Sequence, residues 1–311
     1  MLAMAAEDLP LGPGWLHERK YDGVRIGVPI RAGKTALLTR MGHHKGRQFP
    51  EVAAALKALH GIVGHDLYLD GEIVDAESDD FIGLQRLQRR IGLQKDFDIR
   101  LRAEATPAAF VAFDVLAVGA FDLTAKPLSE RRAVLETILS AAPSGVRLAL
   151  QSTDGHALLQ RATAEAWEGI VSKRVDSVYR AGDRGPAWRK LKLMERQEFV
   201  VGGFTHSDAD RPFAALVVGY FAGDRFVYAG RVGTGFSEAE LHSIGRVLSA
   251  HARPDCPFAE LPDLDEPVSW VHPSLVAEVR HQGWTETNRL RCPSYLVMRT
   301  DKRPADVTRK P

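Results

Sequence analysis

Cysteine is almost missing from this chain: Cys256 and Cys292 are the only two in 311 residues, and no CxxC pair occurs. That excludes a four-cysteine zinc site and a disulfide framework, and it makes a reducing cytoplasm the expected compartment. No run is apolar enough to span a bilayer, so no membrane association is expected. The opening MLAMAAEDLPLGPGW is too acidic, and too interrupted by proline and glycine, for a secretory signal. Net charge is nearly absent as well, at +1 with histidine neutral, so the surface is not basic throughout. Repeats and low-complexity tracts are lacking.

What the chain does have is charge sorted into stretches. From Lys173 to Arg196, eight basic residues face only Asp176, Asp183 and Glu195. A second basic cluster runs from Arg280 to Lys310, and the acidic DCPFAELPDLDEP lies between them. Such stretches are either solvated faces or local binding sites for phosphates.

Hydrophobic periodicity divides the chain in two. VRIGVPI, TALLTR, LYLDGEIVDAE and AAFVAFDVLAV read as strands, while EVAAALKALHGIV and LSERRAVLETILSAA read as helices, the second capped by Ser129. TDGHALLQRATAEAWEGIVSKR reads as helix, glycine turn and strand. Beyond Gln197 the chain becomes β-rich: FVVGGFTH, ALVVGYFAG, RFVYAGRVG, LVAEVRHQGW and SYLVMRT, with one helix, SEAELHSIGRVLSAHA, capped by Ser237. Five strands with a helix between the third and fourth are what an OB-type barrel needs. The expected architecture is a mixed α/β domain over residues 1–195 and an OB-type domain over residues 196–311, with the boundary near 194–198.

The stretch HERKYDGVRIG, residues 17–27, holds Lys20 among fixed charges beside Gly23. A lysine amine is a nucleophile only when neutral, and nearby carboxylates such as Glu18 and Asp22 oppose that. Alone the motif is weak: K-x-D-G arises by chance in roughly 4 of 100 chains of this length. Downstream, however, follow TRMGHHKGRQFPE, LDGEIV, FVAFDVL, EGIVSKR, WRKLKL and LRCPSYLVMRTDKRP, in that order. Lys190 and Lys192 alternate along their strand and so share one face, as do Asp70 and Glu72 on theirs.

With these motifs the chain resembles an ATP-dependent DNA ligase of the nucleotidyltransferase superfamily. Within it, the ligase module of bacterial-type non-homologous end-joining ligase D is the nearest match, over nearly the whole length. The resemblance implies a nucleotidyltransferase domain followed by an OB-fold domain. It implies ATP as cofactor and Lys20 as the residue that accepts AMP. Lys190 and Lys192 would contact the α-phosphate, Glu72 would lie near the ribose, and Phe113 would stack on the purine. Glu18 would help recognise adenine, while Arg25 and Arg40 would lie near the ribose and the incoming 5′-phosphate. Glu72 and Glu168 would hold Mg²⁺ or Mn²⁺, which suits a metal that takes one or two carboxylates plus phosphate oxygens and water. Arg291, Arg299, Asp301 and Lys302 would orient the pyrophosphate leaving group, through a domain closure hinged near residues 194–198.

The resemblance further implies sealing of nicked or broken duplex DNA in repair, by a monomer associated with the nucleoid. It implies a ligase without the large N-terminal DNA-binding domain of bigger ligases. Such a chain would depend on a Ku-like end-binding protein or on separate polymerase and nuclease modules. One motif departs from the pattern: Arg40-Met41-Gly42 stands where Arg-Asn-Gly is usual, which puts its nick contact in doubt. His43 and His44 read as a solvated pair. An RNA ligase, a capping guanylyltransferase and an inactive DNA-end-binding scaffold are the competing readings. The missing cysteines count against an NAD-dependent ligase.

Overall fold

Ile26, Val28 and Ile30 alternate with half-exposed neighbours in Val24–Arg31 and are inaccessible to solvent. That pattern makes a strand with one buried face. The computed structural model describes residues 1–207 and 211–310 and builds such segments into two compact units, Met1–Leu193 and Met194–Pro311.

In the first unit a seven-stranded sheet centres on Val24–Arg31, Leu67–Asp75 and Ala108–Val118, paired antiparallel in that order. Helix Pro50–Val63 buries Val52, Leu56 and Leu59, and helix Leu128–Leu139 adds Leu135 and Ile138 to the same core. Each such buried leucine stabilises the fold by about 2 kcal/mol, more than an exposed ion pair supplies. A second sheet of five strands runs in the order Met4–Ala6, Trp188–Lys192, Gly169–Arg174, Trp15–Arg19, Gln151–Ser152. Helix Gly155–Ala164 packs on it through Leu158 and Ala162, beside Trp167 and Ile170.

The second unit is antiparallel throughout, in the order Arg225–Val232, Ala215–Ala222, Glu195–Thr205, Val268–His281 and the short Ala252–Arg253; Ser294–Arg299 pairs with Val268–His281. Its helix, Glu238–Ala250, starts at a capping box: the Ser237 hydroxyl accepts from the Glu240 N–H, and the Glu240 carboxylate accepts from the Ser237 N–H. The register of Glu195–Thr205 shifts between Val201 and Gly203 against both neighbours, a bulge that bends the strand.

Four details differ from the expectations. Ser129 is not a cap: helix Leu128–Leu139 begins after Pro127, and the Ser129 N–H donates to the Val175 carbonyl instead. TALLTR forms two short strands, Lys34–Thr35 and Leu38–Thr39, because Leu37 between them turns into the core. Val268–His281 starts seven residues before the expected LVAEVRHQGW. Helices Phe81–Ile91 and Asp96–Ala105 are additions to the expected elements; Asp80 caps the first by accepting from the Gly83 N–H. Both cysteines are free, and no helix among the described residues is long and apolar enough to cross a membrane.

Candidate active site

Strand Trp15–Arg19 ends where Lys20 begins. Its neighbour Gly169–Arg174 sets Val171 opposite Glu18, and the next strand sets Lys190 opposite Val171. Glu18, Val171 and Lys190 therefore form one cross-strand row, and Lys192 stands opposite Gly169 on the same face. The Lys20 N–H donates to the Gly169 carbonyl at 2.9 Å, which fixes the lysine beside that row. Gly23 closes the turn because there is no room for a side chain: a Cβ there would lie 2.2 Å from the Ile73 carbonyl oxygen.

These elements surround a cavity of about 270 Å³. Of the sequence-derived residues, Glu18, Lys20, Arg25 and Arg40 line it, together with Glu72, Phe113 and Lys190. Glu168 and Lys192 join through Lys20: the Lys20 amine contacts Glu168 Oε2, and Lys192 Nζ lies 2.9 Å from Glu168 Oε1. Burial pushes the Glu168 carboxyl up. The charge of Lys20 and hydrogen bonds with Asp22, Lys20 and Lys192 outweigh it and bring the group down to about 2. Burial also lowers Lys190, helped by the charges of Lys192 and Lys20. The Glu72 carboxyl goes the other way. Burial pushes it up to about 8, against Lys20 and Arg25, while Asp70 and Glu168 add to the rise.

Arg25 is aimed by Asp70, which accepts from its Nε at 3.1 Å and from its Nη2 at 2.7 Å. Burial works against the Arg25 charge, but Asp70 outweighs it and raises the pKa. The Tyr179 hydroxyl donates to the same carboxylate at 2.7 Å. Phe113 meets Trp188 edge-on at 6.1 Å. Arg40 is exposed beside Met41, whose side chain is in solvent. His43 and His44 are also exposed, and among the described residues no group of three or more His, Cys, Asp or Glu is placed to hold a metal.

Sequence reasoning passed over Arg132, Lys173 and Trp188. Arg132 and Lys173 engage both oxygens of the buried Glu18 carboxylate. Trp188 completes the aromatic wall.

Arg299, Asp301 and Lys302 belong to the second unit and are gathered there around Glu198. Arg299 donates to Asp301 through Nε at 2.8 Å and Nη2 at 2.7 Å, and through Nη1 to Glu278 at 3.0 Å and Glu198 at 3.4 Å. Lys302 and Lys310 lie 3.8 and 3.7 Å from the Glu198 carboxylate. Hydrogen bonds from Arg299 hold Asp301 down at about 2. Arg291 is buried, and its N–H donates to the Gly283 carbonyl.

Residues 1–192 match the model of the ATP dependent DNA ligase domain, and residues 209–302 match that of the ATP dependent DNA ligase C terminal region. The multifunctional non-homologous end joining DNA repair protein LigD of Mycobacterium tuberculosis is 33% identical, over 95% of this chain and 37% of that protein. The LigD protein of Pseudomonas aeruginosa is 33% identical, over 99% of this chain and 36% of that protein. The chain thus spans little more than a third of the length of these relatives. A solved structure of a Lig E DNA ligase, 19% identical, superposes with a TM-score of 0.61 over 96% of this chain and 98% of that one, a likeness of fold. With a nucleotidyltransferase unit followed by an OB-fold unit, and with both family models matched in order, the chain belongs to the ATP-dependent DNA ligase family.

Proposed function

We propose that this chain seals breaks in duplex DNA through an AMP group carried on Lys20. One observation carries the reading: the Lys20 amine stands in the cavity against Glu168, whose other oxygen is held by Lys192. The Lys20 ammonium gives up a proton to solvent, and the neutral Nζ attacks the α-phosphorus of ATP. The N–P bond forms, the bond to the bridging oxygen breaks, and pyrophosphate leaves. The 5′-phosphate at a DNA break then takes the AMP from the lysine. The 3′-hydroxyl attacks that phosphate, forming the phosphodiester and releasing AMP. Both the first and the last step crowd anionic oxygens together, and Lys190, Lys192 and Arg25 offset them. Phe113 and Trp188 offer the base an aromatic wall.

The OB-fold unit supplies Arg299, Asp301 and Lys302 to the first step, by a closure hinged near residues 194–198. Arg40, exposed beside the cavity, meets the 5′-phosphate, a task its forked guanidinium suits. The residues present fit a divalent cation. Glu72 is a carboxyl that burial pushes up to about 8, and a cation would relieve it. Glu72, with Glu168, would hold Mg²⁺ or Mn²⁺, which neutralises phosphate charge when bound. The substrate is nicked or broken double-stranded DNA, met in the cytoplasm at the nucleoid by a monomer. The likeness to end-joining proteins supports a role in end joining beside a Ku-like protein and polymerase or nuclease modules.

Label transfer tests the reading. The protein is first treated with pyrophosphate to strip any AMP already bound. It is then incubated with ATP labelled at the α-phosphate and Mg²⁺ or Mn²⁺. A band stable in base, lost in acid and absent from Lys20→Ala is expected, and it should pass to nicked duplex. A band from GTP alone would replace this reading with a capping enzyme; no band at all would leave a scaffold.

A further inference from the structure

The basic stretch from Lys173 to Arg196 is divided between the two faces of one sheet. Lys190 and Lys192 share the cavity face with Glu18 and Val171, and Lys173 turns to Glu18 there. Arg184 lines the same cavity. Side chains alternate along a strand, so Arg174, three residues after Val171, and Arg189, one before Lys190, point the other way. Trp15, three before Glu18, points with them and stands directly opposite Arg174. The sealing steps use none of these three.

Helix Gly155–Ala164 covers the Lys20 end of that back face, where Leu158 and Ala162 meet Ile170. The far end opens into a cavity of about 550 Å³, lined by Trp15, Arg174, Arg180 and Arg189 with Asp176 and Asp183. Trp15 is a platform there. The guanidinium carbon of Arg174 lies 5.7 Å from its ring centre, and that of Arg189 5.2 Å. A guanidinium laid against an indole keeps its fork for phosphate oxygens. What the forks hold in the free protein is weak. Arg189 Nε reaches the Pro186 carbonyl at 3.4 Å, and Arg174 pairs with Asp176 at 44% and 63% exposure. So exposed an ion pair is worth little and yields readily to another anion.

Arginine forks beside an open cavity fit a phosphodiester backbone. Duplex DNA is stiff over about 150 base pairs, so a duplex lying across the cavity face does not fold round one domain to meet the opposite face. The backbone that reaches Trp15 belongs to a separate segment. We propose that this back face is a second DNA site, which takes phosphates of a duplex segment other than the one being sealed, so that one chain bridges two. The proposal rests on the reading of the chain as a DNA-sealing enzyme and goes beyond it.

The test is a bridging assay with the full chain. A nicked duplex is fixed on beads, and a labelled, unbroken duplex is captured from solution by the bound protein. Wild-type protein should retain the labelled duplex. Arg174→Gln/Arg189→Gln should retain roughly 10-fold less, and the log–log salt slope of capture should fall by about 2, one for each lost phosphate contact. Asp176→Asn frees Arg174 and should retain a few-fold more. Both variants should take label from ATP as the wild type does, because these residues lie off the nucleotide cavity. Equal capture by the wild type and both label-competent variants overturns the proposal. So does a double variant that keeps bridging and loses only sealing of a nick in one short duplex. Capture of labelled polyglutamate in place of duplex would make the face a site for an acidic protein, and overturns it too. A wild type that passes label to the nick yet bridges nothing overturns the proposal and leaves the function standing. One that takes no label fails at the function itself, and the proposal falls with it.

Discussion

Both units carry exposed ion pairs, such as Arg47 with Asp96 and Arg225 with Glu260, but they differ in the pairs they bury. In the first, Arg131 and Asp114 form a two-bond pair with both side chains at 0% exposure, and Arg132, Lys173 and Glu18 form a second buried cluster. In the second, Arg225 and Glu260 pair at 65% and 85% exposure, and Arg299 meets Asp301, itself 61% exposed. The core beneath them is apolar, from Phe199 and Val218 to Leu248. Buried charges cost much to desolvate and gain fixed geometry in return; exposed ones are worth little and can exchange partners. On the proposed function, the first unit accordingly holds a nucleotide still. The second carries cations that can leave one set of anions for another.

Four substitutions would break or sharpen that contrast, and the largest effect belongs to Lys20, the proposed nucleophile. Lys20→Ala should cut label transfer by at least about 10⁴-fold, with the melting temperature near that of the wild type. Next comes Arg131→Met, which strands Asp114 in the core. It should cost about 3–5 kcal/mol in urea unfolding of the first unit. A loss below about 1 kcal/mol would erase the contrast. Glu198→Gln in the second unit loosens Arg299, Lys302 and Lys310 together. It should shift the rate of label transfer a few-fold, about 1 kcal/mol, and leave the melting curve alone. The smallest effect is for Arg225→Ala, whose exposed pair should be worth no more than about 0.5 kcal/mol in the same unfolding assay.

Much of the candidate site could be read from the chain because the residues that line its cavity sit in short motifs. Lys20 beside Gly23, Glu72 and Lys190 with Lys192 each announce themselves by local spacing. Residues that act by being buried do not. Arg131 and Arg132 look like two surface arginines in LSERRAVLETIL. One signal was available: with Leu128, Leu135 and Ile138 they fall on the stripe that faces the core. A charge on such a stripe has to meet an anion inside. Arg90 on helix Phe81–Ile91 follows the same rule, fully buried against Glu51. Lys173 was harder to find, since it stands in a run of basic residues where nothing sets it apart. The second unit was plainer. Its strands alternate and its helix opens with the Ser237 box, so pattern and structure largely coincide; the seven added residues of Val268–His281 and the short strand Ala252–Arg253 lay outside the pattern.

The main chain around Lys20 has a consequence for the reach of its amine. The Lys20 N–H is bonded to the Gly169 carbonyl, and the carbonyl of Glu168 accepts from the Leu193 N–H at 3.0 Å. Gly169 itself is wedged: at φ of +150° a Cβ would come within 2.0 Å of the Leu191 carbonyl oxygen. Three strand segments are thus pinned about one glycine, and none can slide to make up for a change in side-chain length. The distance from backbone to amine is set by the four methylenes of lysine alone. An amine one carbon shorter, with the same charge and the same chemistry, would stop short of Glu168 and find no backbone slack to carry it forward.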